Sequence, residues 1–457
     1  MLKVINPATG SVIRELEEDS AASVSQKMER AKKAQKLWAK TPLTERLQAI
    51  KKFRALVVER KDKLAAITTS EVGKGIAQSG NELGGLLGRI DFFLESAVKV
   101  LGDEVVLNDS AQKMEERISH EPLGVIANIS AWNYPWFVGS NVFVPALLAG
   151  NAILYKPSEF AALTGLAITD LLHEAGIPKD VFIPIIGGGS VGAELMNQPL
   201  NGVFFTGSYA TGRKIAEAAA KRLMKVQLEL GGKDPAYITE NVPDVKSVAE
   251  GVADGAFYNT GQSCCSVERI YVHEKIYNEF LEAFTNAVKG FVSGDPMDQK
   301  TYIGPLTRSA HLEFLEKQVK DAINKGARLV TGGNRIKGPG NYFEPTVFAN
   351  VNHTMELMKE ESFGPLIGIQ KVSGDEEALQ MMNDTDYGLT AAVYCMDKTR
   401  ATQILREVNS GSVYWNCCDR VSPRLPWSGR GHSGIGSTLS TYGIQTFVQP
   451  KAWHLRG

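Results

Sequence analysis

Cysteine is scarce in this chain, with five among 457 residues, at positions 264, 265, 395, 417 and 418. An odd, thinly spread set argues against a disulfide framework and fits a reducing compartment, so a cytoplasmic setting is expected. No CxxC pair and no HExxH occurs, and the seven histidines are scattered, so no metal site is expected. No stretch of eighteen apolar residues exists, and the opening MLKVINPATGSVIREL has no apolar segment behind a basic cluster, so neither a membrane span nor an export signal is expected. Charge of neither sign dominates: 50 Lys plus Arg against 51 Asp plus Glu leave a formal −1, without a long run of like charges. That balance gives nucleic acid and anionic membranes nothing to hold.

What is present is length and rhythm. The chain is about three times a typical domain, enough for two or three cores. Residues 20–100 read as helices. Thr41 and Pro42 look like N-cap and N1, and Leu43, Leu47, Ile50, Phe53 and Val57 then recur at helical spacing. From about 123 the pattern changes to short apolar, β-branched runs, GVIANIS (124–130), NAILYKP (151–157), VFIPIIGG (181–188), GVFFTGS (202–208) and MKVQLELGG (224–232), separated by helical segments such as 161–175. Alternation of this kind predicts a parallel sheet with helices on both faces. A second α/β region follows from 233, with IYVHEKI (270–276) as a strand and helices near 276–289 and 309–325. The aromatic, basic end TYGIQTFVQPKAWHLRG reads as an exposed strand or a segment packed on a partner.

The glycine loops are ambiguous. GGGSVG (187–192) satisfies both GxGxxG and, from Gly188, the GxSxG elbow, yet no acidic residue stands where a strand end would hold a ribose diol. GSYATG (207–212) also lies between a strand and a helix, where backbone N–H groups suit phosphate, and KPSE (156–159) ends another strand. Each alone is equally a plain turn or a surface ion pair; together they favour a nucleotide crevice. Glu229, acidic inside an apolar strand, is either paired or kept for proton transfer. The adjacent Cys264 and Cys265 sit in the polar stretch NTGQSCCSVER (259–269), although a lone cysteine is more often a small buried hydrophobe.

Eight segments in order carry a resemblance that counting does not: INPATG (5–10), WNYP (132–135), KPSE (156–159), FTGS (205–208), LELGGK (228–233), FYNTGQSC (257–264) with Arg269, ESFGP (361–365) and PWSGRGHSG (426–434). Over essentially the whole chain the sequence resembles the NAD(P)-dependent aldehyde dehydrogenases. The resemblance implies an α/β fold with a Rossmann-type parallel-sheet cofactor domain (1–103 and 123–231), a second α/β catalytic domain (232–442) and a small β oligomerisation arm (104–122 and 443–457). It implies a homodimer or homotetramer, NAD as cofactor with NADP possible, and a small aldehyde as substrate.

By the same resemblance Cys264 is the nucleophile, Asn133 with the Cys264 backbone N–H holds the oxyanion, and Glu229 is the general base. Trp132, Lys156, Glu159, Gly207, Ser208, Leu230, Glu361 and Phe363 take the dinucleotide. Glu229 favours hydrolysis over acyl transfer to coenzyme A, and Glu159 favours NAD, because a carboxylate bonds a 2′-hydroxyl and repels a 2′-phosphate. Cys265, Cys417 and Cys418 are read as packing or lining residues. Arg420 and Arg424 are candidates for holding a distal carboxylate, as in a succinate-semialdehyde dehydrogenase, or are surface residues; Trp136 and Trp415 would suit a cationic or apolar substrate. Rivals of other classes are a cysteine hydrolase using His273 and a catalytically inactive binding protein.

Overall fold

After a short antiparallel hairpin of Leu2–Ile5 and Val12–Leu16, helices follow because their apolar residues fall on one stripe. In Ala21–Trp38 the buried Val24, Met28, Ala31 and Trp38 lie three to seven residues apart, and Ser20 with Ser23 forms a reciprocal cap. In Leu43–Glu59 the buried set is Leu47, Ile50, Phe53, Leu56 and Val57, with Leu43 half-buried against the same core. Each such side chain contributes about 1.5–3 kcal/mol by leaving water. Thr41 is not the N-cap: its hydroxyl donates to the Leu37 carbonyl at 3.3 Å and so finishes the preceding helix, while Pro42 stands at the cap position. The helix Lys61–Val72 follows, and after it the longest, Ile76–Leu101.

The computed structural model describes residues 1–457 and contains two main sheets. The first has the order Gly434–Ile435, Lys225–Glu229, Gly202–Thr206, Val125–Ile129, Ala152–Lys156, Phe182–Pro184, parallel except for the first strand. The second has the order Arg328–Thr331, Thr346–Ala349, Leu366–Val372, Val267–His273, Asp234–Ile238, Thr390–Tyr394, Ser412–Trp415, parallel except for its first strand. One apolar core wraps the first sheet, and two separate cores line the faces of the second. A third sheet pairs Val448–Arg456 with Met114–Pro122, and the latter with Glu104–Asp109; Val105, Val106 and Leu107 are exposed on it.

Two expectations shift. The strand read at 270–276 is Val267–His273, beginning three residues earlier because Glu268 and Arg269 are buried within it. Arg269 is wholly enclosed, its guanidinium bonding the carbonyls of Lys233, Met381 and Met382. The segment from Trp427 to Ile435, expected in the second domain, returns to the first: Gly434 pairs with Glu229, and Trp427, Leu439, Ile444 and Phe447 enter the first core.

Candidate functional site

Connectivity places the crevice. In the first sheet the chain runs outward from Val125–Ile129 through Ala152–Lys156 to Phe182–Pro184, then returns to the other side of Val125–Ile129 with Gly202–Thr206. In open parallel sheets ligands bind at the carboxyl ends of strands where the order reverses. Trp132 and Asn133 follow the first of these strands, Lys156 ends the next, Gly207 and Ser208 follow Gly202–Thr206, and Leu230 follows Lys225–Glu229. The fold therefore brings these residues to one edge.

Lys156 is 4 % exposed, and its ammonium has only a 3.5 Å contact to the Pro157 carbonyl. Burial lowers its pKa, while the carboxylates of Glu159 and Glu18 act in the opposite sense. A buried donor this poorly satisfied, beside a half-exposed carboxylate, fits the hydroxyls of a ribose. Gly192 lies against it, since a Cβ there would stand 3.5 Å from Lys156 Cε. The loop before Gly192 is no nucleophile elbow: Ser190 is exposed, and the Gly188 N–H donates to the Glu18 carboxylate at 3.2 Å. In the second loop the Gly207 N–H donates to the Glu229 carbonyl at 3.0 Å, and the Ser208 hydroxyl caps the helix Tyr209–Ala220. Gly212 packs on Leu230, where a Cβ would come within 2.5 Å. The close glycine approach and the helix N-terminus at this strand end fit a dinucleotide, for which the Ser208 hydroxyl would have to exchange its cap for a phosphate.

The cysteine loop is held in an unusual backbone. Asn259, Thr260 and Gly261 have φ of 55°, 60° and 70°, the left-handed region, at a cost of about 1–3 kcal/mol for each non-glycine residue. Hydrogen bonds hold it there: the Asn259 side-chain amide donates to the carbonyls of Asn133 (3.2 Å) and Gln262 (3.0 Å), and the Thr307 N–H to Gln262 Oε1 (3.0 Å). The Asn133 side-chain amide donates to the Gln262 carbonyl at 3.2 Å. A Cβ on Gly232 would lie 2.6 Å from the Cys264 carbonyl, so the backbone after Glu229 runs directly against the cysteine.

The two sulfurs differ. Cys264 is free and half-buried; Cys265 is buried, and its thiol donates to Asp419 Oδ1 at 3.0 Å. The neighbouring Cys264 thiol, burial and the Asp419 carboxylate push the Cys265 pKa well up, which keeps it a thiol. Cys418 packs under the helix Val245–Phe257, against Gly255, and Cys417 beside it is half-buried.

Glu229 is 5 % exposed and accepts hydrogen bonds from the hydroxyls of Thr438 and, at 3.5 Å, Thr206. Burial pushes its pKa up to about 7, against the pull of these bonds and of Arg89. Glu361 accepts the Gly232 N–H at 3.0 Å, and burial with the nearby Glu268 charge raises it to about 8. A Cβ on Gly231 would stand 2.2 Å from the Glu361 carboxylate, so glycine makes this approach possible. Glu268 fixes the segment bearing Phe363: it pairs with Lys233 at 2.6 Å and accepts the N–H groups of Ser362 and Phe363 at 2.9 Å each. Phe363, at φ 48°, meets the Trp132 ring edge-on at 5.6 Å, so the two domains touch across the crevice. Sequence reasoning missed Thr438, Asp419 and the Lys233–Glu268 pair; two charged residues beside glycines or inside an apolar strand were the only signal for the last.

Five expected side chains lie elsewhere. Trp136 is wholly buried, with its indole N–H on the Thr68 hydroxyl at 2.9 Å. Trp415, on the outermost strand of the second sheet, donates to the Cys395 carbonyl and lies under Lys398. Arg420 and Arg424 are exposed. His273 stands at the far end of the strand that follows Cys264, its Nδ1 accepting the Lys275 N–H, so no thiol–histidine pair forms.

Comparison with known proteins agrees with this geometry. The model of the aldehyde dehydrogenase family matches residues 1–453. The chain is 33 % identical over 448 residues to a succinate-semialdehyde dehydrogenase [NADP(+)] of Deinococcus radiodurans, covering 98 % of this chain and 93 % of that one. It is 34 % identical over 453 residues to a betaine aldehyde dehydrogenase of Agrobacterium fabrum, covering 98 % and 91 %. The solved lactaldehyde dehydrogenase of Escherichia coli superposes with a TM-score of 0.95 at 32 % identity, over 100 % and 95 % of the two chains. A match of the family model to residues 1–453 and close superposition on a solved member lead to one conclusion: the chain belongs to the aldehyde dehydrogenase family.

Proposed function

We propose that the chain oxidises an aldehyde to its carboxylic acid with NAD(P), using Cys264 as nucleophile, Asn133 as oxyanion donor and Glu229 as general base. The observation that carries this reading is the convergence of three segments on one loop: the half-buried Cys264, the Asn133 amide and the backbone following Glu229. The Cys264 thiolate adds to the carbonyl carbon, and the oxygen takes up negative charge. That charge falls to the Asn133 amide and the Cys264 N–H, a donor pair without net charge that stabilises the adduct and does not trap it. Nicotinamide dinucleotide, when held by Lys156, Glu159, Gly207, Ser208, Leu230, Trp132, Glu361 and Phe363, supplies the acceptor for the hydride that the adduct expels.

A thioester on Cys264 remains. Glu229, with a pKa raised to about 7, takes a proton from water as the water adds to the thioester carbon; the sulfur leaves as thiolate and the acid is released. A buried carboxylate so placed favours hydrolysis over transfer to coenzyme A. Glu159 beside Lys156 favours NAD over NADP. The arm sheet, with exposed Val105, Val106 and Leu107, supports a homodimer or homotetramer in which a second copy covers these residues.

The test is direct. Purified protein is mixed with an aldehyde panel and NAD or NADP, with and without coenzyme A, and reduced nicotinamide is followed by absorbance. Turnover that needs no coenzyme A and is faster with NAD is expected. Acyl-CoA formation would assign the acylating reaction, and ester cleavage without nucleotide a hydrolase.

A further inference from the structure

The helix Ile76–Leu101 carries a cation that none of these steps uses. Arg89 is 6 % exposed. Its guanidinium carbon lies over the Phe137 ring, 3.6 Å from the centroid. Of its five N–H donors one makes a hydrogen bond, from Nη1 to the Gly85 carbonyl at a long 3.4 Å, and the buried Nε has no partner at all. The nearest acidic residue on the same helix, Glu82, is already committed: it pairs with Lys74 and accepts the N–H groups of Trp136 (2.9 Å) and Phe137 (3.2 Å). Lys74 and Glu82 cancel, and the Arg89 charge is left over. Enclosing a charge with its donors unmet is costly, and an anionic ligand reaching it would offset that cost.

Its position says which ligand. Phe137 stacks on Tyr134, rings parallel within 2° and 5.8 Å apart, and Tyr134 is the residue after the oxyanion donor Asn133. Gly85 lets the ring lie on the helix backbone, since a Cβ there would stand 2.8 Å from Phe137. After Glu82, the Arg89 charge also bears on Glu229, whose pKa it draws down, so it lies within electrostatic reach of the proposed base. The other two candidate cations, Arg420 and Arg424, are exposed, and Arg420 reaches only the Asp419 carbonyl at 3.4 Å.

We propose that Arg89 is the anchor for a carboxylate at the far end of the aldehyde, making this chain selective for short ω-carboxy aldehydes over neutral ones and against cationic ones. The proposal rests on the reading that an aldehyde reacts at Cys264. A guanidinium fork matches a carboxylate in two parallel hydrogen bonds, which would satisfy the orphaned Nε and leave the stacked face on Phe137 undisturbed. A trimethylammonium or amino aldehyde would meet a like charge on a buried side chain. The relatives named above act on aldehydes of both kinds at nearly equal identity to this chain, so overall similarity does not choose between them and Arg89 does.

The full-length enzyme is assayed with NAD on succinate and glutarate semialdehydes, on butanal and pentanal, and on betaine aldehyde. The wild type is expected to favour the carboxylate in kcat/KM by about 100-fold over the neutral aldehyde of equal length, chiefly through KM. In Arg89→Met that ratio collapses below about tenfold, and in Arg89→Lys, which keeps a point charge without the fork, it lies between. Calorimetry reads the same contact without turnover: glutarate binds the wild type and not Arg89→Met, with the melting temperature of each variant showing that it is folded. A wild-type ratio near one, glutarate bound equally by Arg89→Met, or a ratio that collapses in Arg420→Met and not in Arg89→Met each overturns the anchor, while oxidation of neutral aldehydes would leave the Cys264 reading standing. So does an Arg89→Met enzyme that changes only the pH profile, which would make Arg89 a counter-charge for Glu229.

Discussion

The side-chain amide of Asn133 and the main-chain carbonyl of Gln262 are joined at 3.2 Å, which ties the end of one sheet's central strand to the cysteine loop of the other domain. The same amide has a second N–H to offer a developing oxyanion. Asn133→Ala is therefore expected to lose about 10²–10³ in kcat. Alkylation of Cys264 by iodoacetamide should persist in the variant, showing that the loop still presents the sulfur. Asn133→Asp, which keeps the shape and removes the donors, should be as slow.

Cys264 and Cys265 are neighbours with opposite surroundings. Cys264→Ala should have no measurable turnover, and Cys265→Ala should keep most of it, because the Cys265 thiol is spent on Asp419. Peptide mapping after alkylation should find the label on Cys264. The reverse pattern would move the chemistry to the other sulfur.

Glu229 must be ionised to act as a base, so with its pKa at about 7 the rate of thioester hydrolysis should climb as pH rises through 7 and level off above it. Glu229→Gln should leave acyl-enzyme trapped on Cys264, visible as added mass on the intact protein. Stability runs the other way. An unfolded carboxylate titrates near 4.5 and the folded one near 7, so below 4.5 both are protonated, between the two only the unfolded chain releases its proton, and above 7 the native state bears the full cost of the buried charge. The contribution of this group is most favourable at low pH and is lost as pH climbs to 7. The melting temperature of Glu229→Gln should therefore gain on that of the wild type between pH 5 and pH 8.

Lys74 and Glu82 form an ion pair whose side chains are both fully buried, with the Lys74 ammonium 3.7 Å from the centre of the Tyr134 ring. Lys74→Met would strand the Glu82 charge, and urea unfolding should show a loss of about 3–5 kcal/mol. Adding Glu82→Gln should recover part of it. Full recovery is not expected, since Glu82 also accepts the N–H groups of Trp136 and Phe137 at the start of their helix.

Much of the site was legible because the chemistry lives in short segments whose backbone needs are written locally. FYNTGQSC carries the left-handed turn at Asn259 to Gly261, and LELGGK the two glycines that let Glu361 and the Cys264 carbonyl approach. Strand and helix alternation likewise announced the parallel sheets, since period and β-branching are local properties. Arg269 was harder. A charged residue in a strand looks like a strand end until the carbonyls that receive it, from Lys233 and residues 381 and 382, are in place.

The sequence by itself determined the family and the order of the elements, and it singled out Cys264 as the proposed nucleophile, because each depends on neighbours along the chain. Tertiary structure alone decided that the segment around Gly434 returns to pair with Glu229, that Thr438 completes that carboxylate, that Trp136 is core, and that Arg89 is enclosed where Arg420 and Arg424 face water. Helical spacing shows which residues share a face, but burial and unmet hydrogen bonds are set by whatever packs on that face, and here the covering elements come from more than forty residues away.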